Sequence, residues 1–169
     1  AKYRFGVAKW QPVDTAHIAD DLNRESAAIR RRVAEEAITL VKYDDKPAFP
    51  LPAGQQNRIA YVGLGINKDN AFAKRMRSDY NADVFYFDYS QDSARINSLV
   101  YLLESRYDAV VIGMHAMRRF PAGNFGVSDA AVKLVKAIQK KIHSSLFVFG
   151  NPYVIRNFCE ERNIIACYE

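Results

Sequence analysis

The stretch Tyr107-Asp-Ala-Val-Val-Ile-Gly113 decides the fold. Its apolar run is β-branched, shows no polar alternation and stops at a glycine. Such a run suits a strand covered on both faces, as in a parallel sheet with helices above and below. Runs of the same kind recur on either side: Arg58-Ile-Ala-Tyr-Val-Gly63, Asp83-Val-Phe-Tyr-Phe-Asp88, Leu146-Phe-Val-Phe-Gly150 and Ile164-Ile-Ala-Cys-Tyr168. The segments between them carry helical spacing. Asp69 to Ser78 turns Phe72 and Met76 inward, and Ala94 to Glu104 places Ile96, Leu99, Val100 and Leu103 on one stripe. Ser128 can cap a helix whose apolar positions include Ala131, Val132, Val135 and Ile138. Pro152 suits a first helical turn that carries Ile155, Phe158 and Cys159 inward. Strand and helix alternate from Arg58 onward, which predicts right-handed crossovers and an α/β three-layer sandwich with a mainly parallel, about five-stranded sheet.

A different pattern precedes this unit. Asn23 can cap a long helix in which Ile29, Val33, Ala37 and Val41 recur every four residues, with Ala34, Ile38 and Leu40 widening the stripe. The three prolines of Lys46-Pro-Ala-Phe-Pro-Leu-Pro-Ala-Gly54 then impose an extended connector. Residues 1–22 have no convincing period and carry aromatics at Tyr3, Phe5 and Trp10, the look of an arm that rests on a partner. The expected organisation is an arm over 1–22, a connecting helix and Pro-rich loop over 23–57, and the sandwich over 58–169.

Composition narrows the function classes. The 169 residues are 49% hydrophobic and 25% charged, enough for one core plus an arm at about 100–200 residues per domain. A complete (β/α)8 barrel does not fit. No apolar run approaches the ~18 residues of a membrane helix. The net charge of +5 comes from bases scattered along the chain, clustered only at Arg30-Arg31-Arg32, Arg118-Arg119 and Lys140-Lys141. These read as solvated surface, which argues against a nucleic-acid partner. Cys159 and Cys167, placed on a helix and on the following strand, read as small buried hydrophobes.

Candidate chemistry concentrates at two turns. Gly63-Leu64-Gly65 follows the first apolar run, where backbone amides of a glycine-rich turn can cradle phosphate. A third glycine and a Walker lysine are both missing, so a tight turn is the plainer reading of Gly63 and Gly65. The second is Gly113-Met-His-Ala-Met-Arg-Arg-Phe-Pro121, at the carboxyl edge where open α/β sheets place ligands. There His115 is a candidate acid, base or ligand, Arg118 and Arg119 are candidates for holding an anion, and Asn124 completes the ligand-lining loop. The plainer reading is a His115 hydrogen-bonded within its loop and solvated arginines. His17 and His143 fall on arm and helix surface without metal-ligand spacing, so no metal and no cofactor is expected. Glu35-Glu36, Asp44-Asp45 and Glu160-Glu161 are adjacent pairs that diverge and read as surface charges. No Gly-x-Ser-x-Gly elbow is present, and no catalytic set assembles.

Four elements in order carry a resemblance: Ala1-Lys-Tyr-Arg-Phe-Gly6, Arg32-Val-Ala-Glu-Glu-Ala-Ile-Thr-Leu-Val-Lys42, Phe49-Pro-Leu-Pro52 and Arg58-Ile-Ala-Tyr-Val-Gly63. Together they resemble the junction and second domain of glycoside hydrolase family 3. There a Lys-Tyr-Arg-Leu-Gly element closes a barrel, and a helix leads through Leu-Pro-Leu into the first strand. Phe147-Val-Phe-Gly-Asn-Pro-Tyr153 also looks like the Phe-Gly-x-Pro-Tyr segment of the β-N-acetylhexosaminidase-like branch. The resemblance implies a retaining glycosidase whose nucleophile lies on a preceding (β/α)8 barrel, the expected partner, with a carbohydrate substrate reached through the full-length enzyme. In the β-glucosidase-like branch the second domain lends a glutamate from the loop after its third strand. Here that place offers Gly113-Met114-His115 and no carboxylate until Asp129, which favours the hexosaminidase-like branch. That branch uses a histidine on the barrel, a different residue from His115.

The resemblance also implies a C-terminally truncated sandwich, whose last strand would lack part of its cover, and a periplasmic or extracellular setting. Two other function classes stay open on the residues alone. One is a flavodoxin-like (Rossmann-like) module that binds a nucleotide or anionic ligand at Gly63, Gly65 and the His115 loop. The other is a purely structural interaction domain that docks through Trp10 and the helix around Val33.

Overall fold

A computed structural model of the chain describes residues 3–6, 14–46, 49–51 and 57–168. Trp10 and most of the Pro-rich connector lie outside the described residues. The chain divides into two units, residues 1–36 and 37–169. In the first, α1 (Ile18–Asn23) and α2 (Ser26–Ala37) bury none of their residues. The Arg31–Glu35 and Arg32–Glu36 ion pairs line α2 at i,i+4 spacing and, being exposed to water and salt, contribute little.

The second unit contains β1 (Thr39–Tyr43), β2 (Ile59–Leu64), α3 (Ala71–Tyr80), β3 (Asp83–Phe87), α4 (Ala94–Arg106), β4 (Ala109–Met114), α5 (Asp129–Lys141), β5 (Ser144–Val148), a 3-10 helix (Pro152–Phe158) and β6 (Asn163–Ala166). The strands form one six-stranded sheet in the order β1-β6-β5-β4-β2-β3, parallel except for β1 against β6. Every residue of β2 and of β4 is buried, as their unbroken apolar runs require. Alternate residues serve opposite faces. Ala60, Val62, Leu64, Val110 and Ile112 join the residues of α4 and α5 in the larger core. Ile59, Tyr61 and Val111 pack with Ala73 and Met76 of α3 in the smaller one. The caps are local. Asn70 Oδ1 accepts from the Ala73 amide at 2.8 Å, and Ser128 Oγ accepts from Ala131.

One element departs from expectation. The helix that spacing carried to Val41 ends at Ala37, and Thr39-Leu-Val-Lys-Tyr43 is a strand. The four-residue recurrence of apolar positions there coincides with a β-branched and aromatic run. An open edge of β6 supplies backbone partners, and pairing Thr39 with Ala166 and Tyr43 with Asn163 satisfies both edges. The sheet therefore has six strands, and the segment between 23 and 57 contributes one of them. The last strand is fully buried, with Ile164, Ile165 and Ala166 each at most 2% exposed. The uncovered apolar surface lies on β1 instead, where Leu40 and Val41 are half exposed.

Asn163 and Asp45 lock this end of the sheet. Asn163 Oδ1 accepts from the Asp44 and Asp45 amides at 3.0 and 2.9 Å, and its Nδ2 donates to Asp45 O at 2.7 Å. The Asp45 carboxylate accepts from His143 Nδ1 at 2.9 Å and from Arg162 Nη1 at 3.2 Å. Asp45 is thus a buried, paired acid, which corrects its expected place as a surface charge, and His143 is its half-exposed partner, in the turn between α5 and β5 instead of on a helix. The reason is β1, which carries Asp45 inward beside β6. Cys159 is exposed, contrary to expectation, because the 3-10 helix ends just before it. Cys167 is half-buried, and burial pushes its thiol up to about 11.

Replacing Asn163 by Leu strands two amides and a carbonyl in the interior. The expected cost is about 3 kcal/mol in urea unfolding. A variant within ~0.5 kcal/mol of the parent chain would show that the lock carries no weight.

Candidate functional site

The carboxyl ends of β2 and β4 lie side by side, and the chain leaves them toward opposite faces of the sheet. After β2 it passes to α3 and β3. After α4 it returns to β4 on the other flank of β2. This is a topological switch point, where open parallel sheets form a crevice. Asn70 enters it from the cap of α3, and His115 enters from the end of β4.

His115 is 5% exposed and held from every side. Its amide donates to Leu64 O at 3.0 Å, and its carbonyl accepts from the Tyr89 hydroxyl at 2.8 Å. The imidazole lies 2.7 Å from the Tyr61 hydroxyl through Nε2 and stacks on Phe149, with ring centres 4.5 Å apart and planes 12° from parallel. Asn70 Nδ2 sits 3.2 Å from Nε2. Burial pushes the imidazole down to about 4, so it is neutral at physiological pH. Burial also raises the Tyr61 phenol far above its usual range, which keeps its proton in place. Tyr61 reaches His115 across Gly113. A Cβ on Gly113 would collide with the Tyr61 hydroxyl and lie 2.8 Å from His115 Nε2.

Beside this triad opens a cleft of about 420 Å³ lined by Asn70, Ala71, Phe72, Arg75, His115 and Phe149. Phe72 and Phe149 meet edge to face, with ring centres 4.9 Å apart, and Arg75 is paired with Asp79 at 2.7 Å. Among the described residues, the lining contains no carboxylate. It offers hydrogen-bond donors and aromatic surface, which suits binding more than proton transfer. Among the described residues, no three His, Cys, Asp or Glu side chains gather as a metal site needs.

The other predicted site residues do not converge on the cleft. Arg118 and Arg119 are exposed on the loop beyond it. The Arg118 amide donates to Phe125 O at 2.7 Å, and Asn151 Nδ2 donates to Arg119 O at 3.2 Å. Asn124 Oδ1 accepts from Asn157 at 3.0 Å, tying the loop to the 3-10 helix. At the phosphate-turn candidate, Gly63 pairs within the sheet, and the Gly65 amide donates to Phe87 O at 3.0 Å. Gly65 has φ +75°, and a Cβ there would lie 2.5 Å from His115 O and from the Tyr89 ring. This turn is shaped for the close approach of Tyr89 and the His115 backbone. His115 itself bonds outside its loop, to Tyr61 and Asn70. Tyr61, Asn70, Phe72 and Phe149 are site residues that sequence reasoning missed. Their one signal was the pair of strand runs ending in Gly63 and Gly113, which lie opposite each other in the sheet.

No family model matches the chain, and no curated protein matches it. Solved structures do. A glycoside hydrolase family 3 β-N-acetylglucosaminidase from Paenibacillus sp. str. FPU-7 is 14% identical with a TM-score of 0.63, over 99% of this chain and 32% of that one. A fungal multi-domain family 3 β-N-acetylglucosaminidase is 17% identical with a TM-score of 0.63, over 94% of this chain and 17% of that one. A β-glucosidase from Listeria innocua, in complex with glucose, is 16% identical with a TM-score of 0.62, over 85% of this chain and 23% of that one. The chain thus spans 17% to 32% of the length of these structures. What it shares with these glycosidases is a fold, the mostly parallel three-layer α/β sandwich.

Two outcomes follow from the packing of His115. Gly113→Ala should cost about 2 kcal/mol through overpacking against Tyr61, and Tyr61→Phe should relieve part of it. Thermal unfolding of the single and double variants checks this, and strict additivity would contradict it. The folded imidazole is neutral down to about pH 4, whereas the unfolded one takes up a proton near its ordinary 6.5. The stability that it contributes is therefore complete above about pH 6.5 and lost as pH falls toward 4. The loss amounts to about 3 kcal/mol. Urea unfolding at a series of pH values should show this slope in the parent chain and a flatter one in His115→Gln.

Proposed function

We propose that the chain is the second, α/β sandwich domain of a family 3 glycoside hydrolase of the β-N-acetylhexosaminidase-like branch. In this reading residues 1–22 are the arm that meets a preceding (β/α)8 barrel, and 23–57 lead from it into the sandwich at 58–169. The sandwich packs against the barrel, and the loop from Met114 to Phe125 walls the sugar site. Its exposed Arg118, Arg119 and Phe120 (71% exposed) suit a loop that faces a neighbour.

One observation carries the reading: the residue delivered after β4 is a buried, neutral histidine, and among the described residues no carboxylate lines the adjoining cleft. Retaining glycoside cleavage needs two carboxyl groups about 5–5.5 Å apart, or a substitute proton donor opposite the nucleophile. The chain offers neither at this place, so the chemistry belongs to the barrel. The glycosidase fold of the solved relatives supports the same assignment.

The test compares this chain with the longer protein that includes the segment preceding it, each supplied with an aryl N-acetyl-β-glucosaminide. The chain alone should release no aryl alcohol, and the longer protein should. Turnover by the chain alone, or none by a longer protein that holds a folded barrel, would overturn the reading.

A further inference from the structure

The loop after β4 meets the 3-10 helix at a strained turn. Asn124 and Phe125 have φ of 54° and 59°, the left-handed region that residues with a Cβ enter at a cost. Bonds from outside hold them there. The Phe125 carbonyl accepts from the Arg118 amide at 2.7 Å, Asn157 Nδ2 donates to Asn124 Oδ1 at 3.0 Å, and the Phe125 side chain is buried in the larger core. The turn stations two arginines. The Arg118 stem lies over Gly126, so close that a Cβ there would meet its Cγ at 3.1 Å, and the Arg156 guanidinium stands 5.7 Å from the centre of the Phe125 ring. Asn151 brings in two more residues: its Nδ2 donates to Arg119 O at 3.2 Å, and its Oδ1 accepts from the Tyr153 amide at 3.0 Å.

The charge of this surface is uncompensated. Arg118, Arg119 and Arg156 are all exposed, and among the described residues none of them is in an ion pair. The arginines of α2 and α3 differ: Arg31, Arg32, Arg75 and Arg77 each have a carboxylate partner. Beside the unpaired arginines stand Phe120 and Tyr153, 71% and 75% exposed. Arginine, phenylalanine and tyrosine without lysine is the composition of a protein–protein contact. An arginine fork takes a carboxylate through two parallel N–H···O bonds, and a stem already packed loses less freedom when it does so. A neutral ligand would gain nothing from three cations. A nucleic acid calls for a basic stripe, and this surface is confined to one loop and one helical turn.

We propose that Arg118, Arg119, Phe120, Tyr153 and Arg156 form an interaction site for an acidic protein surface, whose carboxylates pair with the arginine forks and whose apolar side chains lie against Phe120 and Tyr153. The proposal goes beyond the glycosidase reading and does not rest on it. Whichever chain supplies the partner, it is acidic at this contact.

The experiment is a titration of the ¹⁵N-labelled full chain at low salt, followed by amide ¹H–¹⁵N spectra, with four probes. These are a synthetic peptide of alternating glutamate and leucine, the same peptide with lysine for glutamate, a single-stranded DNA oligonucleotide, and vesicles of mixed phosphatidylserine and phosphatidylcholine. The acidic peptide should shift the amides of 116–127 and 151–158 in a saturable way and leave those of Arg30, Arg31 and Arg32 unmoved. The lysine peptide should shift neither stretch, and DNA and vesicles should bind more weakly than the acidic peptide. Replacing Arg118 and Arg156 together by Gln should weaken the acidic peptide about tenfold, the loss of two exposed ion pairs. Phe120→Ser, at an exposed position that leaves the core intact, should weaken it as well, and added salt should weaken the parent chain's binding. Equal shifts at Arg30 to Arg32, tighter binding of DNA or vesicles, or an unchanged affinity in the double variant would each overturn the proposal. The aryl-glycoside assay of the longer protein decides the family reading and leaves this one untouched.

Discussion

The Tyr61 hydroxyl reaches His115 because Gly113 has no side chain. Tyr61 and Gly113 lie on neighbouring parallel strands, so this one contact ties the register of β2 and β4 to the orientation of the imidazole. The rest of the crevice follows from it. With Nε2 spent on Tyr61, the ring lies flat against Phe149, whose amide is held by Met114 O at 2.9 Å. Asn70 is fixed by capping α3 and completes the polar group from the other side. Tyr61 lies within a strand, and Asn70 and Phe149 directly flank a helix and a strand, which is how a site keeps its geometry without a ligand.

The opposite end of the sheet does different work. There Asn163, Asp45, His143 and Arg162 form a lock that fastens β1 to the edge of β6. Its buried acid, Asp45, is held by a half-exposed histidine on one side and by an arginine on the other. Such a cluster holds a strand, whereas the His115 group lines a cleft. Two histidines, each bonded to side chains from distant parts of the chain, are thus separated in role by what lies beside them.

The central sheet was legible in the sequence because its strands are buried on both faces and so read as unbroken apolar runs. Helices α4 and α5 were legible through their stripes, and the Ser128 cap through its side chain. The strand β1 was not. It is an exposed edge strand whose apolar residues fall every four positions beside a true helix, and only its pairing with β6 distinguishes it. The lock at Asp45 was hidden for the same reason. His115 stood out by its place at the carboxyl edge, but its partners Tyr61 and Asn70 lie 54 and 45 residues earlier, and no local spacing marks them. The loop arginines drew notice by charge alone, and the backbone turns them away from the cleft into solvent. The fold shared with the solved glycosidases says how the elements are arranged, and the buried imidazole beside Phe72 and Phe149 says what the crevice presents.

The protonation of one ring tests the account most directly. A long-range ¹H–¹⁵N correlation spectrum of the unliganded chain, followed as the pH falls, reports where the imidazole of His115 takes up its second proton. A ring that stays neutral down to about pH 4 is the predicted result. A ring that becomes charged near its ordinary 6.5 would contradict it, because an imidazole packed against Tyr61 and Phe149 would then have to be open to water.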